Sequence, residues 1–294
     1  MVAGRDEIRT HAFASCYQLE PAKRWMDLVD DDRIDLVVVA TVSALHGDVV
    51  EHALVVGKHV VGVYPLSLAL AQAQRLLVLA AQRKRLLHVE HIELLGGLHR
   101  LMRSHLPLIG SPSYVNYRTL SAQRPAPMSW KYCPELFGFP FCGALSRVNR
   151  LTNLFGKVQS VSCEMQTTRS AVDLNFYTNI VCSGRLLFES GLVAELTYGK
   201  GDRTWRTLRA IDVQGRDGSL TFVGNKGALT TNAGETHLEA SPRKGLIALD
   251  TKGVLDYLSN GIPLYVSAEE SFYALRVADA LRSAAVHKTT LLLE

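Results

Sequence analysis

The side chains best suited to chemistry fall in three short stretches of the sequence. Tyr64, in GKHVVGVYPL, offers a phenol that donates a hydrogen bond but is a poor proton source at neutral pH. Glu90 and His91 end LLHVEH, and a histidine titrates near neutrality. Arg147 and Arg150, in LSRVNR, lie one helical turn apart. Their guanidinium groups stay charged, so they can stabilise developing charge and bind carboxylates.

The first half of the chain alternates strand and helix patterns, which predicts a doubly wound parallel sheet. Residues 34–41 (IDLVVVAT) form a near-continuous β-branched run, typical of a strand buried on both faces. A helical pattern follows, then the strand KHVVGVY, a strongly amphipathic helix and the strand LLHVEH. Ligands bind at the carboxyl ends of parallel strands, so we expect Tyr64 and His91 at the edge of a crevice.

The second half changes character near residue 112. Stretches such as PSYVNYRTL and RLLFESGLVAELTYGK read as strands, some alternating strictly, and GRDGS reads as a hairpin turn. The tail returns to helix in AEESFYALRVADALRSAAV. We therefore predict a nucleotide-binding domain over residues 1–111. A substrate-binding α+β domain over residues 112–294 would follow, with an open, mostly antiparallel sheet and a C-terminal helix.

Composition narrows the classes of function. The 294 residues carry a formal net charge of +4 with no basic run, which argues against nucleic-acid binding. Five cysteines without a Cys-x-x-Cys argue for reduced thiols and against a disulfide framework. No apolar run reaches membrane-spanning length and the N-terminus is too polar for a signal peptide, so we expect a soluble cytoplasmic protein.

A metal site is not expected. His88, Glu90, His91 and Glu93 look like a ligand cluster on paper. In an alternating strand, however, their side chains divide between two faces, so one pair at most lines the crevice.

Four separated stretches, in order along the chain, carry a resemblance to a known family. GKHVVGVYPL, LLHVEHIELLGG, FGFPFCGALSRVNRLTNLFG and GIPLYVSAEESFYALRVADAL resemble the cyanobacterial biliverdin reductases, within the wider glucose–fructose oxidoreductase/inositol dehydrogenase (Gfo/Idh/MocA) family. The resemblance implies a Rossmann-type domain followed by an α+β domain. It also implies NADPH-dependent reduction of biliverdin IXα to bilirubin, with hydride transferred to the central methine carbon; NADH is the alternative cofactor.

The same resemblance implies roles for individual residues. Arg147 matches the active-site arginine beside the pigment, and Tyr64 and His91 complete the expected catalytic group. Residues expected to bind the substrate are Arg150, Glu90, Phe139 and Pro140.

The cofactor side of the crevice is expected to use Arg5, Thr41, His46 and Val63. The family holds the adenosine, ribose and pyrophosphate near the strand end at Thr41 and the helix start at His46. Arg5 stands where an arginine favours the 2′-phosphate of NADPH. Where related reductases carry a glutamate before the tyrosine, this chain has Val63, and the polar contacts of that carboxylate are lost.

No G-x-G-x-x-G motif precedes residues 34–41, and MVAGRDEIRTHAFASCYQ resembles a second strand and its helix. The first βα unit of the fold is therefore expected to be missing. Two hypotheses follow: a biliverdin reductase whose start is misplaced, or a truncated, non-catalytic bilin-binding or interaction protein. A sugar dehydrogenase is a third, disfavoured by Tyr64 in place of lysine and by Arg147. Oligomeric state stays open.

Overall fold

A computed structural model describes residues 1–293. The helices are α1 (Glu7–Tyr17), α2 (Trp25–Val29), α3 (Ser43–Val55), α4 (Leu70–Arg83), α5 (Gly97–His105), α6 (Pro134–Phe137), α7 (Pro140–Gly143), α8 (Ser146–Phe155), α9 (Leu246–Asn260) and α10 (Ala268–His287). The strands are β1 (Leu36–Val39), β2 (His59–Val63), β3 (Leu87–Glu90), β4 (Pro112–Ala122), β5 (Val158–Arg169), β6 (Tyr177–Phe188), β7 (Val193–Gly201), β8 (Leu208–Gly215), β9 (Gly218–Val223), β10 (Lys226–Thr231), β11 (Gly234–Glu239) and β12 (Leu291–Leu292).

The first half contains the parallel sheet that the alternation predicts, in the order β1-β2-β3. Helix α4 joins β2 to β3 and buries Ala73, Leu76 and Ala80 on one face. The apolar stripe of its sequence is therefore the side that packs against the core. Tyr64 directly follows β2 and His91 directly follows β3, so both lie at the carboxyl edge of the sheet.

A short backbone contact ties the first residues of the chain to the segment before α2. Val2 forms an isolated parallel bridge with Pro21, and α1 follows it, capped by the Asp6 carboxylate, which accepts the Arg9 N–H at 3.0 Å. Within the described residues β1 pairs only with β2, and 67% of the Val38 side chain is exposed. One edge of the parallel sheet is thus open in this structure.

The second sheet has nine strands in the order β11-β10-β9-β8-β4-β7-β6-β5-β12. Every pairing is antiparallel except β4 with β7, which run parallel. Thr119 at the centre of β4 lies in register with Tyr198 on β7 and Arg209 on β8. Residues in register share a face of the sheet, so these three side chains lie in one row.

Two helices fill the space between the sheets. Helix α8 follows the predicted loop and buries Val148 and Leu151, while α10 packs against β5, α8, α4 and β3. Most of the buried apolar residues of both halves belong to one continuous cluster, and Val61, Leu86 and Val254 form a second, small one. The predicted domain boundary falls just before β4 and stays a prediction, because the C-terminal helices pack on both halves.

In the part of the chain that the structure describes, no helix combines the length and the apolar character needed to cross a bilayer.

Candidate active site

A cavity of about 270 Å³ lies between the carboxyl edge of the parallel sheet and one face of the nine-stranded sheet. Tyr64 closes one wall, and the start of α8 contributes Arg147 and Arg150. The opposite wall is the row of β4 and β8 side chains that includes Thr119 and Arg209. The remaining walls come from the start of α5 and from the loop after β11. Three of the side chains predicted from the sequence thus line one cavity.

Arg147 is half-buried and reaches across the cavity. Its Nη1 donates to the Ser146 hydroxyl at 3.0 Å, and its guanidinium carbon lies 5.4 Å from the centre of the Tyr198 ring. Its Nε is buried without a hydrogen-bond partner within residues 1–293. Burial alone lowers the pKa of Arg147, but the surrounding tyrosines and Glu93 raise it more, so the net shift is upward. The Arg147 guanidinium is therefore permanently charged, and its Nε–H makes no hydrogen bond within the described residues.

Arg150 is buried one turn further along α8. Its Nη1 donates to the Tyr117 hydroxyl at 3.2 Å, and its Nη2 donates to the backbone oxygen and the carboxylate of Glu93, each at 3.4 Å. Burial of a cation is tolerated when it is paired and hydrogen-bonded, and Glu93 supplies that pairing. The Arg150 guanidinium is consequently held by the protein itself at one side of the cavity.

Tyr64 stacks on His91, with ring centres 5.2 Å apart and planes inclined by 5°. His91 is fully buried, its Nε2 pairs with the Ser271 hydroxyl at 2.8 Å, and burial lowers its pKa to about 3. The imidazole stays neutral at physiological pH and does not line the cavity. The structure thus differs from the expectation for His91, whose ring supports the back of Tyr64.

A buried polar network behind His91 was not found from the sequence. The Tyr265 hydroxyl accepts the backbone N–H of His91 at 2.9 Å and donates to Asp250 at 2.7 Å, and Asp250 pairs with His88 at 2.8 Å. Asp250 lies on α9 and Tyr265 in the loop before α10, so the network ties the C-terminal helices to the end of β3. Its members are distant in sequence, and no local pattern signals that they meet.

Comparison with known proteins gives the family. The profile of the Gfo/Idh/MocA oxidoreductase family with an NAD-binding Rossmann fold matches residues 1–91, and that of its C-terminal alpha/beta domain matches residues 108–293. The crystal structure of biliverdin reductase from Synechocystis sp. PCC 6803, in complex with biliverdin and NADP+, superposes with a TM-score of 0.94. It is 42% identical, and the match covers 97% of this chain and 91% of that one. The chain belongs to the Gfo/Idh/MocA oxidoreductases and, within them, to the biliverdin reductases.

More distant relatives agree with this placement. Biliverdin reductase A of Mus musculus is 33% identical over 143 residues, 49% of this chain and 45% of that protein. The Homo sapiens protein matches over a similar stretch, so this chain matches less than half of the length of either relative. An NAD binding oxidoreductase from Klebsiella pneumoniae shares the fold, with a TM-score of 0.83 at 17% identity. The family and fold class predicted from the sequence are confirmed.

The other residues predicted to bind the substrate do not line the cavity. Glu90 ends β3, partly buried, and burial followed by the nearby Asp250 raises its pKa. Phe139 directly precedes α7 and Pro140 begins it, and Phe139 packs edge-on against Phe141 with ring centres 5.9 Å apart. None of the three lines the cavity, so their role in binding stays a prediction.

On the cofactor side, the structure separates the predicted residues into exposed and buried groups. Arg5 and Thr41 are exposed, and within residues 1–293 the Thr41 hydroxyl bonds only to the adjacent Val42 carbonyl, at 3.2 Å. His46 is buried, with Nδ1 2.7 Å from the Pro65 carbonyl and Nε2 3.1 Å from the Thr41 carbonyl. Its ring therefore joins the loops after β1 and β2, and both its nitrogens face backbone oxygens.

Of the residues predicted to bind the cofactor, Arg5 has the chemistry to contact a phosphate. Arg5 lies beside the capped start of α1, and its side chain pairs with no carboxylate of residues 1–293. A guanidinium in that position suits a phosphate. Val63, the last residue of β2, can offer backbone groups but no side-chain hydrogen bond.

Sequence reasoning missed much of the cavity wall. Tyr117, Arg209, Glu93 and Arg243 line the cavity, and Tyr198 lies beside Arg147. All but Glu93, which precedes α5, come from the second half of the chain. The alternation of β4 and β7 indicates that Tyr117 and Tyr198 each lie on one face of a strand. It does not show which face meets α8.

Within residues 1–293 no group of three or more His, Cys, Asp or Glu side chains is placed to hold a metal ion.

Proposed function

We propose that this protein is an NADPH-dependent biliverdin reductase that transfers a hydride to the central methine carbon of biliverdin IXα and forms bilirubin. The 42% identity to the biliverdin reductase solved with biliverdin and NADP+, spread over nearly the whole chain, carries the proposal. The cavity supports it, since it combines Tyr64 with two cations on α8. Arg5 and Thr41 would hold parts of the cofactor. NADH remains the alternative, and a cytoplasmic location stays a prediction.

In this proposal Arg147 stabilises the negative charge that develops on the substrate. Bound NADPH supplies the hydride, and its addition to the methine carbon leaves negative charge on a pyrrole nitrogen. The Arg147 guanidinium, with a buried Nε that lacks a protein partner, can stabilise that charge as it develops. Because the pKa of Arg147 is raised, it stays charged and does not itself give up a proton at neutral pH. The proton reaches the nitrogen from water that the guanidinium orients.

Tyr64 positions the reactants. Its ring is fixed from behind by stacking on His91, which leaves its hydroxyl on the cavity side. A phenol held in this way can donate one hydrogen bond to the pigment without losing side-chain freedom on binding. Val63 beside it adds no charge, so the cationic groups of α8 dominate the field in the cavity.

The test uses biliverdin and NADPH with the 294-residue protein, following the bilirubin absorbance band. We expect turnover in the native protein and a loss of about 100-fold or more in kcat for Arg147→Ala, with little change in pigment affinity. Arg83→Ala, an exposed arginine on α4, is the matched control and should behave as native.

Pigment binding without turnover in the native protein would instead favour the non-catalytic bilin-binding protein. An Arg147→Ala variant with a native rate would remove Arg147 from the proposed role.

A further inference from the structure

Lys200 is a buried lysine beside the active site that has no part in the reaction as described so far. It follows Tyr198 by two positions on β7, so the two side chains lie on the same face of the sheet. That face also forms the cavity wall, because Tyr198 is in register with Thr119 of β4, which lines the cavity. Only 4% of Lys200 is exposed. A cationic side chain is therefore enclosed next to the cavity.

Aromatic rings and one backbone carbonyl surround the Lys200 ammonium. Its Nζ lies 4.0 Å from the centre of the Phe137 ring and 4.6 Å from that of Tyr132, and it donates to the Lys131 carbonyl. Ring faces and carbonyl oxygens are negative, so they stabilise a cation in part. No carboxylate of residues 1–293 forms an ion pair with the ammonium. Since buried charges are usually paired, this charge is kept at a cost in stability.

Lys200 and Arg147 share the ring of Tyr198. The Lys200 Nζ lies 5.7 Å from the ring centre and the Arg147 guanidinium carbon 5.4 Å from it. The two charges are therefore at most about 11 Å apart, a distance at which like charges near a protein interior repel appreciably. Burial, followed by the charges of Lys131 and Arg147, lowers the pKa of Lys200 to about 7, which agrees with that repulsion.

Few contacts of its own fix the direction of the Arg147 guanidinium. Within residues 1–293 its side chain makes one hydrogen bond, to the hydroxyl of the adjacent Ser146, and its Nε has no partner. The face of an aromatic ring attracts a guanidinium but allows it to slide. A second cation over the same ring disfavours the positions nearest to β7 and leaves those on the cavity side.

We propose that Lys200 is a positioning residue, whose ammonium repels the Arg147 guanidinium across Tyr198 and holds it towards the cavity. The inference rests on the proposed function, because it concerns the residue that stabilises charge on the pigment. The unpaired charge then lowers stability and raises the rate, a combination that is common at active sites. A repulsion over about 10 Å corresponds to about a tenfold effect on a rate.

The other titratable and charged groups around the ammonium stay in place in every variant. Tyr132 and Tyr198 are neutral near pH 7, because burial raises the pKa of both, that of Tyr132 to about 12. The neighbouring strand β6 contributes the apolar Ile180, in register with Lys200. Charged groups near the ammonium are Arg147 on α8, Lys131 before α6 and Asp202 directly after β7.

The kinetic experiment follows bilirubin formation from biliverdin and NADPH between pH 6 and pH 9. At pH 6 we expect Lys200→Met to lower kcat about tenfold and to leave KM for biliverdin little changed. The native kcat should fall towards that of Lys200→Met as the pH rises past 7 and the ammonium loses its proton. Lys200→Arg, which keeps a charge, should hold its pH 6 rate at pH 9. Lys157→Met, an exposed lysine over a tyrosine ring, is the control and should match the native protein at each pH.

Two further measurements separate positioning from a structural role. Unfolding at pH 6 should show Lys200→Met to be at least as stable as the native protein, so that its lost rate is not lost folding. In an Arg147→Ala background, Lys200→Met should not change kcat further, because the group that it positions is gone. Equal kcat for native and Lys200→Met at pH 6 would overturn the inference. A rate effect that persists without Arg147, or that appears only in KM, would do the same.

A readout without substrate tests the inference separately from the proposed function. The Nε resonance of Arg147, assigned by its loss in Arg147→Ala, is recorded by NMR in protein labelled with ¹⁵N-arginine. It should shift as the pH passes about 7 in the native protein and stay constant in Lys200→Met. A resonance that is constant in both proteins would overturn the inference even if turnover is observed. Absent turnover with a resonance that responds to Lys200 would count against the proposed function alone.

Discussion

Lys200 offers a quantitative test of the packing beside the active site. Its ammonium is buried under the loop that contains α6, 4.0 Å from the centre of the Phe137 ring and 4.6 Å from that of Tyr132. The Lys131 carbonyl accepts a hydrogen bond from it. No carboxylate within residues 1–293 forms an ion pair with it. Burial, followed by the charges of Lys131 and Arg147, lowers the pKa of Lys200 from 10.5 to about 7.

The shift sets the size and the sign of a pH effect on stability. The folded-state pKa lies below the unfolded value, so the unfolded chain binds the extra proton between about pH 7 and pH 10.5. A shift of 3.5 units corresponds to a cost of about 5 kcal/mol, fully present below pH 7 and relieved as the pH rises. By pH 9 about 2 kcal/mol of the cost remains. Removing the amine should therefore stabilise the protein more in acid than in base.

The assay compares urea unfolding of the native protein and Lys200→Met at pH 6, 7, 8 and 9. We expect the difference in unfolding free energy between the two to change by about 3 kcal/mol over this range, with Lys200→Met favoured most at pH 6. Lys157→Met is the matched control, because Lys157 also lies over a tyrosine ring, 4.9 Å from the centre of Tyr273, but is exposed. A difference for Lys200→Met that stays constant from pH 6 to pH 9 would refute the reasoning.

Three further predictions concern the support of the site. Asp250→Asn removes the buried carboxylate that pairs with His88 and accepts from the Tyr265 hydroxyl, and it should lower the unfolding free energy by about 3 kcal/mol, checked by urea unfolding. Gly97→Ala forces the loop at Ser241 away from α5 and should weaken pigment binding with little change in kcat; unchanged binding would contradict it. The pKa of His91 is about 3, below its unfolded value, so stability present above pH 6.5 should be lost as the pH falls towards 3. Unfolding from pH 7 to pH 4 measures this, and His91→Gln should reduce the acid slope.

Local patterns in the sequence were enough to predict several parts of the site. The β-branched run of β1 and the apolar stripe of α4 have the different side-chain periods of a strand and a helix. Their alternation along the chain indicates a parallel sheet. Parallel strands present their carboxyl ends at one edge, so the sequence predicts Tyr64 at a crevice. The spacing of Arg147 and Arg150 places them on one side of a helix, and both line the cavity.

The role of His91 shows where local reasoning ends. Its position at the end of β3 is readable from the sequence, but the direction of its ring depends on Ser271 and Tyr265, which are more than 170 residues away. Alternation divides the side chains of a strand between two faces and does not say which face is buried. The packing of α10 over β3 decides that, and it turns His91 behind Tyr64.

The amino-acid sequence was sufficient to predict the family, the succession of strands and helices, and the presence of a tyrosine and two arginines at the crevice. These follow from side-chain periodicity, from the common edge of parallel strands and from matched motifs. The opposite wall of the cavity, with Tyr117 and Arg209, and the burial of Lys200 depend on how distant segments pack together. The order of strands in the second sheet pairs segments far apart in the chain, and no local pattern encodes that pairing.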